Sequence, residues 1–523
     1  MVEKINKRKN DLKNICLFLF LIGLYFALQL KFINDMWFGT DELDIMVLGK
    51  AIARGRLLYV DIFSQHMPIS YYISALFYKL GAISVTEQRI AFYLFFAIMW
   101  ASIVFLYQNV IDYRALMIYP IFHCCLIQSY DLGTAILSEH IAGCGAIIII
   151  LEFLSFVKTK KINTKSNIFL SFGIVLTFGT IFVSIYALFF VFIGVLCLEL
   201  KWKTKEETTK NWLKFILKRY VKLGIVVAIP WLVLLVFFVC THSLKEFVYG
   251  AYTINRTIYP RYNGGTGNNI LTMFFVPIDM FSTFITDGLN LANWSYVNVL
   301  QWIVMIGCLI FLYLMANKYG KLVAGILFMY IYALGIRGIF NFHGTACVEV
   351  LAFTSSYVIV GLCNKKLCSD RQGKSLALGL ASAILIISGY TNNISKLTTL
   401  NFKEEQTEQS KVITKITDEN ESVWMAAFDN QDMMLADRIP IGGAVTTPWT
   451  WEDFGKKEFK KLKNKSPRVA VLDENHEVWG YNLKDYAPKL IKYIKKNYTQ
   501  IPGTTTLYVR NDYYNEAMSK IGK

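Results

Sequence analysis

The segment GTDELDIMVLGKAIARGRLLYVDIFSQHMPISYYISALFYKLGA opens with adjacent carboxylates, Asp41 and Glu42, about ten residues past an apolar run. A carboxylate at a membrane surface loses hydration, which disfavours its charged form and raises its pKa toward values useful to a general base. Adjacent acids also occur on any solvated surface, so the pair takes its meaning from its downstream neighbours. A helix-like stretch leads to Tyr59 and Asp61, His66 lies two residues before Pro68, and an aromatic segment ends in Lys79, Leu80 and Gly81.

Three further groups are candidates. Asp131 and Glu139 lie in DLGTAILSEH, where the chain enters an apolar run, and an ionisable group that faces a bundle interior is a functional candidate. Arg337 and His343 lie in RGIFNFHG between two apolar runs, and a cation at the end of a span suits a lipid phosphate at headgroup depth. Arg256 and Arg261 flank a glycine-rich stretch, 263–269, that could cap a phosphate or act as a lid. Its glycines lack Walker spacing and no Lys-Ser/Thr follows them, which favours a lid or a plain loop over a nucleotide cradle.

The elements that position these residues are membrane spans. The chain is 54% hydrophobic with a mean hydropathy of +0.40, and runs such as 168–200 and 223–240 are too long and apolar for a soluble core. Pairing apolar runs with basic loops places spans near 14–34, 89–107, 115–129, 139–157, 168–182, 184–200, 222–240, 298–316, 321–337, 345–363 and 375–392, about eleven in all. The basic loops 158–165, 201–222, 317–321 and 364–374 then fall on the same side as the basic N-terminus, which the positive-inside rule makes cytoplasmic. The stretch 68–81 has only about fourteen residues, short of the ~20 that cross a bilayer, and is expected as an interfacial helix. Residues 18–30 lead into Lys31, Phe32 and Ile33 with no small-residue cleavage site, so the first span is expected to stay as an anchor.

Three large segments are expected outside: 35–88, 241–297 and everything after about 391. The last is charged and reads as a small α/β domain, with strands near 422–428, 468–472 and 504–509 and helices near 451–462 and 483–493. The expected division is a transmembrane domain, 1–392, and an extracytoplasmic α/β domain, 393–523, in a multi-pass protein of the cell membrane.

The net charge of +16 is explained by the basic loops and calls for no nucleic-acid partner. The ten cysteines sit mainly in apolar runs, and neither a disulfide framework nor a zinc pattern is visible. Cys124 and Cys125 are adjacent, the wrong spacing for two ligands of one tetrahedral site. A divalent cation is left open.

The ordered series after the acidic pair resembles the first outer loop of the type C glycosyltransferase superfamily. The branch is that of protein O-mannosyltransferases and lipid A aminoarabinose transferases, the glycosyltransferase family 39-like enzymes. There a Gly-x-x-x-Tyr-x-Asp turn, here Gly55 to Asp61, precedes a Lys-Pro-Pro-like step and an interfacial helix ending Lys-Leu-Phe-Gly. The match departs from the pattern at His66 and Met67. Glu139 sits where these enzymes carry a second acid, and Arg337 with His343 resembles their Arg…His-Tyr element, with Gly344 in place of the tyrosine. The resemblance implies transfer of a sugar from a polyprenyl-phosphate donor on the outer face, with Asp41 as base and inversion at the anomeric carbon.

In that reading Glu42 and Glu139 position the acceptor or tune Asp41. Arg337, His343, Arg256 and Arg261 hold the phosphate, and Asp61, His66 and Asp131 contact substrate. The acceptor is an envelope glycan, a lipid or a protein. The cytoplasmic loops are too short for a nucleotide-binding domain. The rival readings are a transporter or flippase of lipid-linked saccharides, for which no internal repeat is visible, and a polymerase or ligase that moves whole chains.

Overall fold

The computed structural model describes residues 2–30, 40–127, 135–161, 164–203, 209–262, 270–289, 296–337, 341–363, 406–427, 430–443, 445–464 and 466–522. The chain starts with α1 (Val2–Leu30), followed in the first loop by α2 (Thr40–Ala53), strand β1 (Ile62–Phe63) and α3 (Ile69–Lys79). Next come α4 (Val85–Tyr107), α5 (Tyr113–Ile127), α6 (Ser138–Thr159), α7 (Thr164–Phe178), α8 (Ile185–Trp202) and α9 (Thr209–Cys240). Helices Ile270–Leu289, Tyr296–Tyr319, Lys321–Leu334 and Thr345–Cys363 complete the described bundle.

Six helices among the described residues are long and apolar enough to cross a membrane, and the protein is a multi-pass membrane protein. The sequence count of about eleven is not reached by length alone. Apolar helices Asn14–Gln29, Lys165–Phe178 and Phe274–Thr283 are shorter, α5 has 15 residues with Pro120 inside it, and Lys321–Leu334 has 14. The expected span 375–392 lies outside the described residues. The break expected between 182 and 184 is present as a turn, Phe182–Ser184, between α7 and α8. The segment 35–88 holds the expected short helix, α3. Helix Ile270–Leu289 falls inside a segment expected as loop, because Pro277 and Asp279 interrupt its apolar run.

Burial sorts the helices. The apolar window of α6 is 94% buried and that of α9 only 6%. Helix α6 reads SEHIAGCGAIIIILEFLSFVKT, apolar on every side, which belongs at the centre of a bundle. Its glycines let neighbours approach closely, as small residues do between membrane helices. A Cβ at Gly143 would lie 2.0 Å from Glu349 Oε2, and one at Gly145 would lie 2.6 Å from Gly173 O.

The C-terminal unit is built on a six-stranded sheet in the order β1-β3-β2-β4-β8-β7. Its strands are β2 (Ser422–Ala426), β3 (Ile439–Gly443), β4 (Val469–Leu472), β7 (Tyr498–Gln500) and β8 (Leu507–Arg510), and β5 (Glu477–Val478) with β6 (Tyr481–Asn482) forms a separate hairpin. The sixth strand comes from elsewhere: β1, in the first loop, pairs in parallel with β3 in the register Ile62↔Gly442 and Phe63↔Gly443. Alternation along the strands splits the core. Val423 and Met425 join the cluster continuous with the bundle, while Trp424 and Ala426 face a second cluster with Leu490, Ile491 and Ile494.

Candidate active site

Helix α2 starts at Thr40, so Asp41 and Glu42 occupy its first turn, where the free N–H groups favour negative charge. Helical geometry then separates them. Residues three apart share a face, which puts Asp44 beside Asp41 and turns Glu42 toward the bundle. Glu42 is 0% exposed and Arg89, on α4, is 1% exposed. Arg89 Nε donates to Glu42 Oε1 at 2.9 Å and its NH2 group to Oε2 at 2.5 Å, and the Ile136 N–H donates to Oε1 at 2.9 Å. This bidentate pair ties the first loop to α4 and to the entry of α6.

Asp41 and Asp44 face the other way. With His66, Ser138, Glu139 and Arg337 they line one cleft, closed by Ile45, Tyr71 and Leu137. Burial raises the Asp41 pKa above the usual carboxylate range, and the positive charge of Arg337 pulls it part of the way back. Burial also pushes Asp44 up to about 7, against the hydrogen bond from Tyr71, and the charge of Asp41 adds to the rise. A relay fixes Asp44: the Tyr71 hydroxyl donates to its Oδ2 at 2.7 Å, and Ser64 Oγ donates to Tyr71 at 2.7 Å.

The cation of the cleft comes from the turn Gly335–Arg337. Arg337 is 25% exposed and forms an ion pair with Glu139, which is 4% exposed at the start of α6. His66 is held neutral: burial and the nearby Arg337 lower its pKa to about 3. His343, in the turn Asn341–Gly344, is driven well below the usual histidine range by burial, then by Arg337 and His66.

The first loop is braced from two sides. Tyr59 adopts a positive φ of 71°, rare for a bulky residue, and its hydroxyl donates to His66 O at 2.7 Å. Asn255, beyond α9, donates to Gln65 O at 2.6 Å. At the far end of α2 the C-terminal unit takes hold. Buried Lys50 pairs with Asp437 at 3.1 Å, and Arg54 donates to Asp437 Oδ2 at 2.8 Å and to Tyr78 OH at 2.6 Å. Burial lowers the Lys50 pKa to about 8 despite Asp437.

The structure therefore brings Asp41, His66, Glu139 and Arg337 together, with His343 close behind, and leaves other candidates elsewhere. Glu42 is committed to Arg89. Asp61 accepts the Leu57 N–H at 2.8 Å and closes a turn on the exposed side. Arg256 donates to Tyr252 OH at 2.6 Å, one helical turn back on its own segment. Arg261 pairs with Glu452 of the C-terminal unit at 2.6 Å. Asp131 lies outside the described residues. No group of three metal-ligating side chains occurs among the described residues. Asp44, Tyr71 and Arg89 were not singled out from sequence. The first of these was legible as the residue one helical turn after Asp41.

No protein-family model and no curated protein matches the chain. Among solved structures, ArnT from Cupriavidus metallidurans bound to undecaprenyl phosphate matches with a TM-score of 0.54 at 10% identity, over 95% of this chain and 97% of that one. The same protein in the apo state gives 0.53 at 11% identity, over 96% and 98%. The archaeal oligosaccharyltransferase AglB from Archaeoglobus fulgidus, in complex with an inhibitory peptide and a dolichol-phosphate, gives 0.48 at 11% identity, over 95% of this chain and 74% of that one. ArnT is a lipid A aminoarabinose transferase, of the branch that the first loop resembles. Over nearly the whole of both chains, this protein has the fold of ArnT.

Proposed function

We propose that the protein is a membrane glycosyltransferase that moves a sugar from a polyprenyl-phosphate donor to a hydroxyl of a cell-envelope acceptor, with Asp41 as base. The observation that carries this reading is the cleft, in which two carboxylates, Asp41 and Asp44, share walls with Arg337. The likeness in fold to ArnT, solved with undecaprenyl phosphate, supports a lipid-phosphate donor.

In this mechanism the acceptor hydroxyl gives its proton to Asp41 as its oxygen bonds to the anomeric carbon. The bond from that carbon to the phosphate oxygen breaks, and the electron pair leaves with the phosphate. Displacement from the opposite side inverts the anomeric centre. Arg337 meets the departing charge, and Glu139 fixes the orientation of its planar guanidinium, whose five donors exceed what one carboxylate takes up. Neutral His66 and His343 offer hydrogen bonds to sugar hydroxyls without adding charge. The raised pKa of Asp41 suits a base that must accept a proton and later release it.

The reading keeps a transmembrane domain, 1–392, and an α/β domain, 393–523, that lies outside the cell with the cleft, while the N-terminus is cytoplasmic. A cysteine introduced at Gly503 is then labelled by an impermeant reagent in intact cells, and labelling only after lysis would place the cleft on the wrong side. The deciding experiment gives the purified protein a polyprenyl-phosphate sugar or a sugar nucleotide, each with candidate acceptors. Transfer from the lipid donor alone is expected, and transfer from the nucleotide with no lipid intermediate would refute the mechanism.

A further inference from the structure

Two helices of the C-terminal unit, Lys456–Asn464 (KKEFKKLKN) and Pro488–Asn497 (PKLIKYIKKN), carry nine lysines against one acid, Glu458. Their apolar stripes turn inward. Leu490, Ile491 and Ile494 are buried against the sheet, and Phe459 of the first helix meets Tyr493 of the second at 5.4 Å between ring centroids. Lys463 bridges the pair, its Nζ 4.4 Å from the Phe459 ring and 5.7 Å from that of Tyr493.

What remains outward is cationic. Lys456, Lys457, Lys460 and Lys463 are exposed on the first helix. So are Lys489, Lys492, Lys495 and Lys496 on the second, where Glu474 reaches Lys495 at 2.7 Å. Like charges three and four residues apart repel along a helix, and neighbouring helices with the same sign add to the cost. Such a field attracts and concentrates anions at the face.

The layout of the face favours one kind of anion. The sheet begins at β1 in the first loop and ends at β7. Helix Pro488–Asn497 leads into β7 and packs against Trp424 of β2 and Ala470 of β4, two to three strand spacings or about 10–14 Å across the sheet from β1. The cations repeat along two helices rather than standing at one point, which matches an anion whose charges repeat as well. At its near end the strip passes Lys457, whose Nζ lies 5.2 Å from the ring of Tyr249. That residue begins the turn Tyr249–Ile254, next to the Asn255 that braces Gln65 beside the cleft.

We propose that the two lysine-rich helices form a docking face for a polyanionic polymer with repeating phosphate or carboxylate groups, running from the free end of the C-terminal unit toward the cleft. That this polymer is the acceptor rests on the transferase reading; the binding itself does not.

The test uses the full chain in discs of neutral phosphatidylcholine. The probes are inorganic polyphosphate, polygalacturonate and uncharged dextran, with phosphatidylglycerol vesicles as a separate arm. Both polyanions are expected to bind, dextran not, and affinity should fall linearly in log–log form with salt as counterions are displaced. Combining Lys456→Gln, Lys460→Gln, Lys489→Gln and Lys492→Gln should weaken polyphosphate binding by about tenfold or more and flatten the salt slope. The melting temperature should not move, and the matching Lys→Arg variant should bind like the parent. Unchanged polyphosphate affinity in the Gln variant, equal binding of dextran, or binding confined to phosphatidylglycerol vesicles would overturn the proposal. Lysine-dependent polyphosphate binding in a protein that transfers no sugar keeps the face and refutes the transferase. Sugar transfer without polyanion binding does the reverse.

Discussion

The cleft and the ion pair directly behind it use the same chemistry to opposite ends. Asp41 and Glu42 are consecutive residues of one helix, and both are carboxylates removed from bulk water. Glu42 has a guanidinium in a bidentate grip and a backbone N–H on the same oxygen, so its charge is spent on holding α2 against α4. Asp41 shares a cleft with a second acid and with an arginine already paired to Glu139. A carboxylate satisfied by the protein is structural, whereas one raised in pKa and open to a cleft retains the capacity to react. One residue of helical rotation separates the two outcomes.

The contrast is most exposed to refutation at Asp41 itself. Asp41→Asn should lower transfer by roughly a hundred- to ten-thousand-fold while the melting temperature in detergent stays that of the parent, because the amide keeps the shape but cannot take a proton. Full activity would remove Asp41 as base and shift attention to Asp44 or Glu139.

Glu42→Ala should do the converse. Breaking a buried pair from one side typically costs about 3–5 kcal/mol, since the remaining charge is left uncompensated. The expected readout is a large drop in folded yield and in melting temperature, and Arg89→Ala should share it. A Glu42→Ala protein as stable as the parent, yet inactive, would move Glu42 into the reacting site and collapse the comparison.

Arg337 stands between the two behaviours, half committed to Glu139 and half available. Arg337→Ala should weaken use of the lipid donor by about ten- to a hundredfold, the range of a lost charge-assisted hydrogen bond. Arg337→Lys keeps the charge but loses the fork, so an intermediate value is expected. Equal effects of Ala and Lys would mean that geometry alone matters there.

The smallest effect sharpens the picture of the acid pair. The base must be ionised, so activity should be lost as pH falls through the raised pKa of Asp41. The charge of Asp41 helps hold Asp44 protonated up to about 7, so Asp44 adds no charge while Asp41 titrates, and Asp44→Asn should leave the acidic limb of the pH–rate profile in place. The same variant should flatten the fall in stability between about pH 4 and about pH 7. An acid raised in the folded state favours folding below its unfolded pKa and loses that contribution as pH rises through about 7. An acidic limb that moves would show that Asp44 is charged while Asp41 titrates.

Much of this was legible in the sequence, and the failures have physical reasons. Asp41, Glu139 and Arg337 stood out because ionisable residues at the ends of apolar runs are costly unless used or paired. The division of labour between Asp41 and Glu42 was not legible, since it depends on Arg89 crossing from α4, and Arg89 reads locally as a charge at the water line. Arg256 and Arg261 carried the right charge, but Tyr252 and Glu452 take them up through contacts that no local pattern announces. The strands near 422–428 and 468–472 were found by their apolar runs. β1 was not, because two residues without a turn signal acquire strand geometry only from a partner about 380 residues away.

That pairing sets a clock on the protein's birth. At a synthesis rate of roughly 5–20 residues per second, Ile62 leaves the ribosome about 20–75 seconds before Gly442 exists to receive it. Throughout that interval the loop bearing Asp41 is without the strand partner and the Asp437 anchor that hold it in the finished molecule. The brace on the first loop is thus completed last, by the final fifth of the chain, and a polypeptide cut short by a nonsense codon or by proteolysis would carry every residue that lines the cleft and still lack that brace.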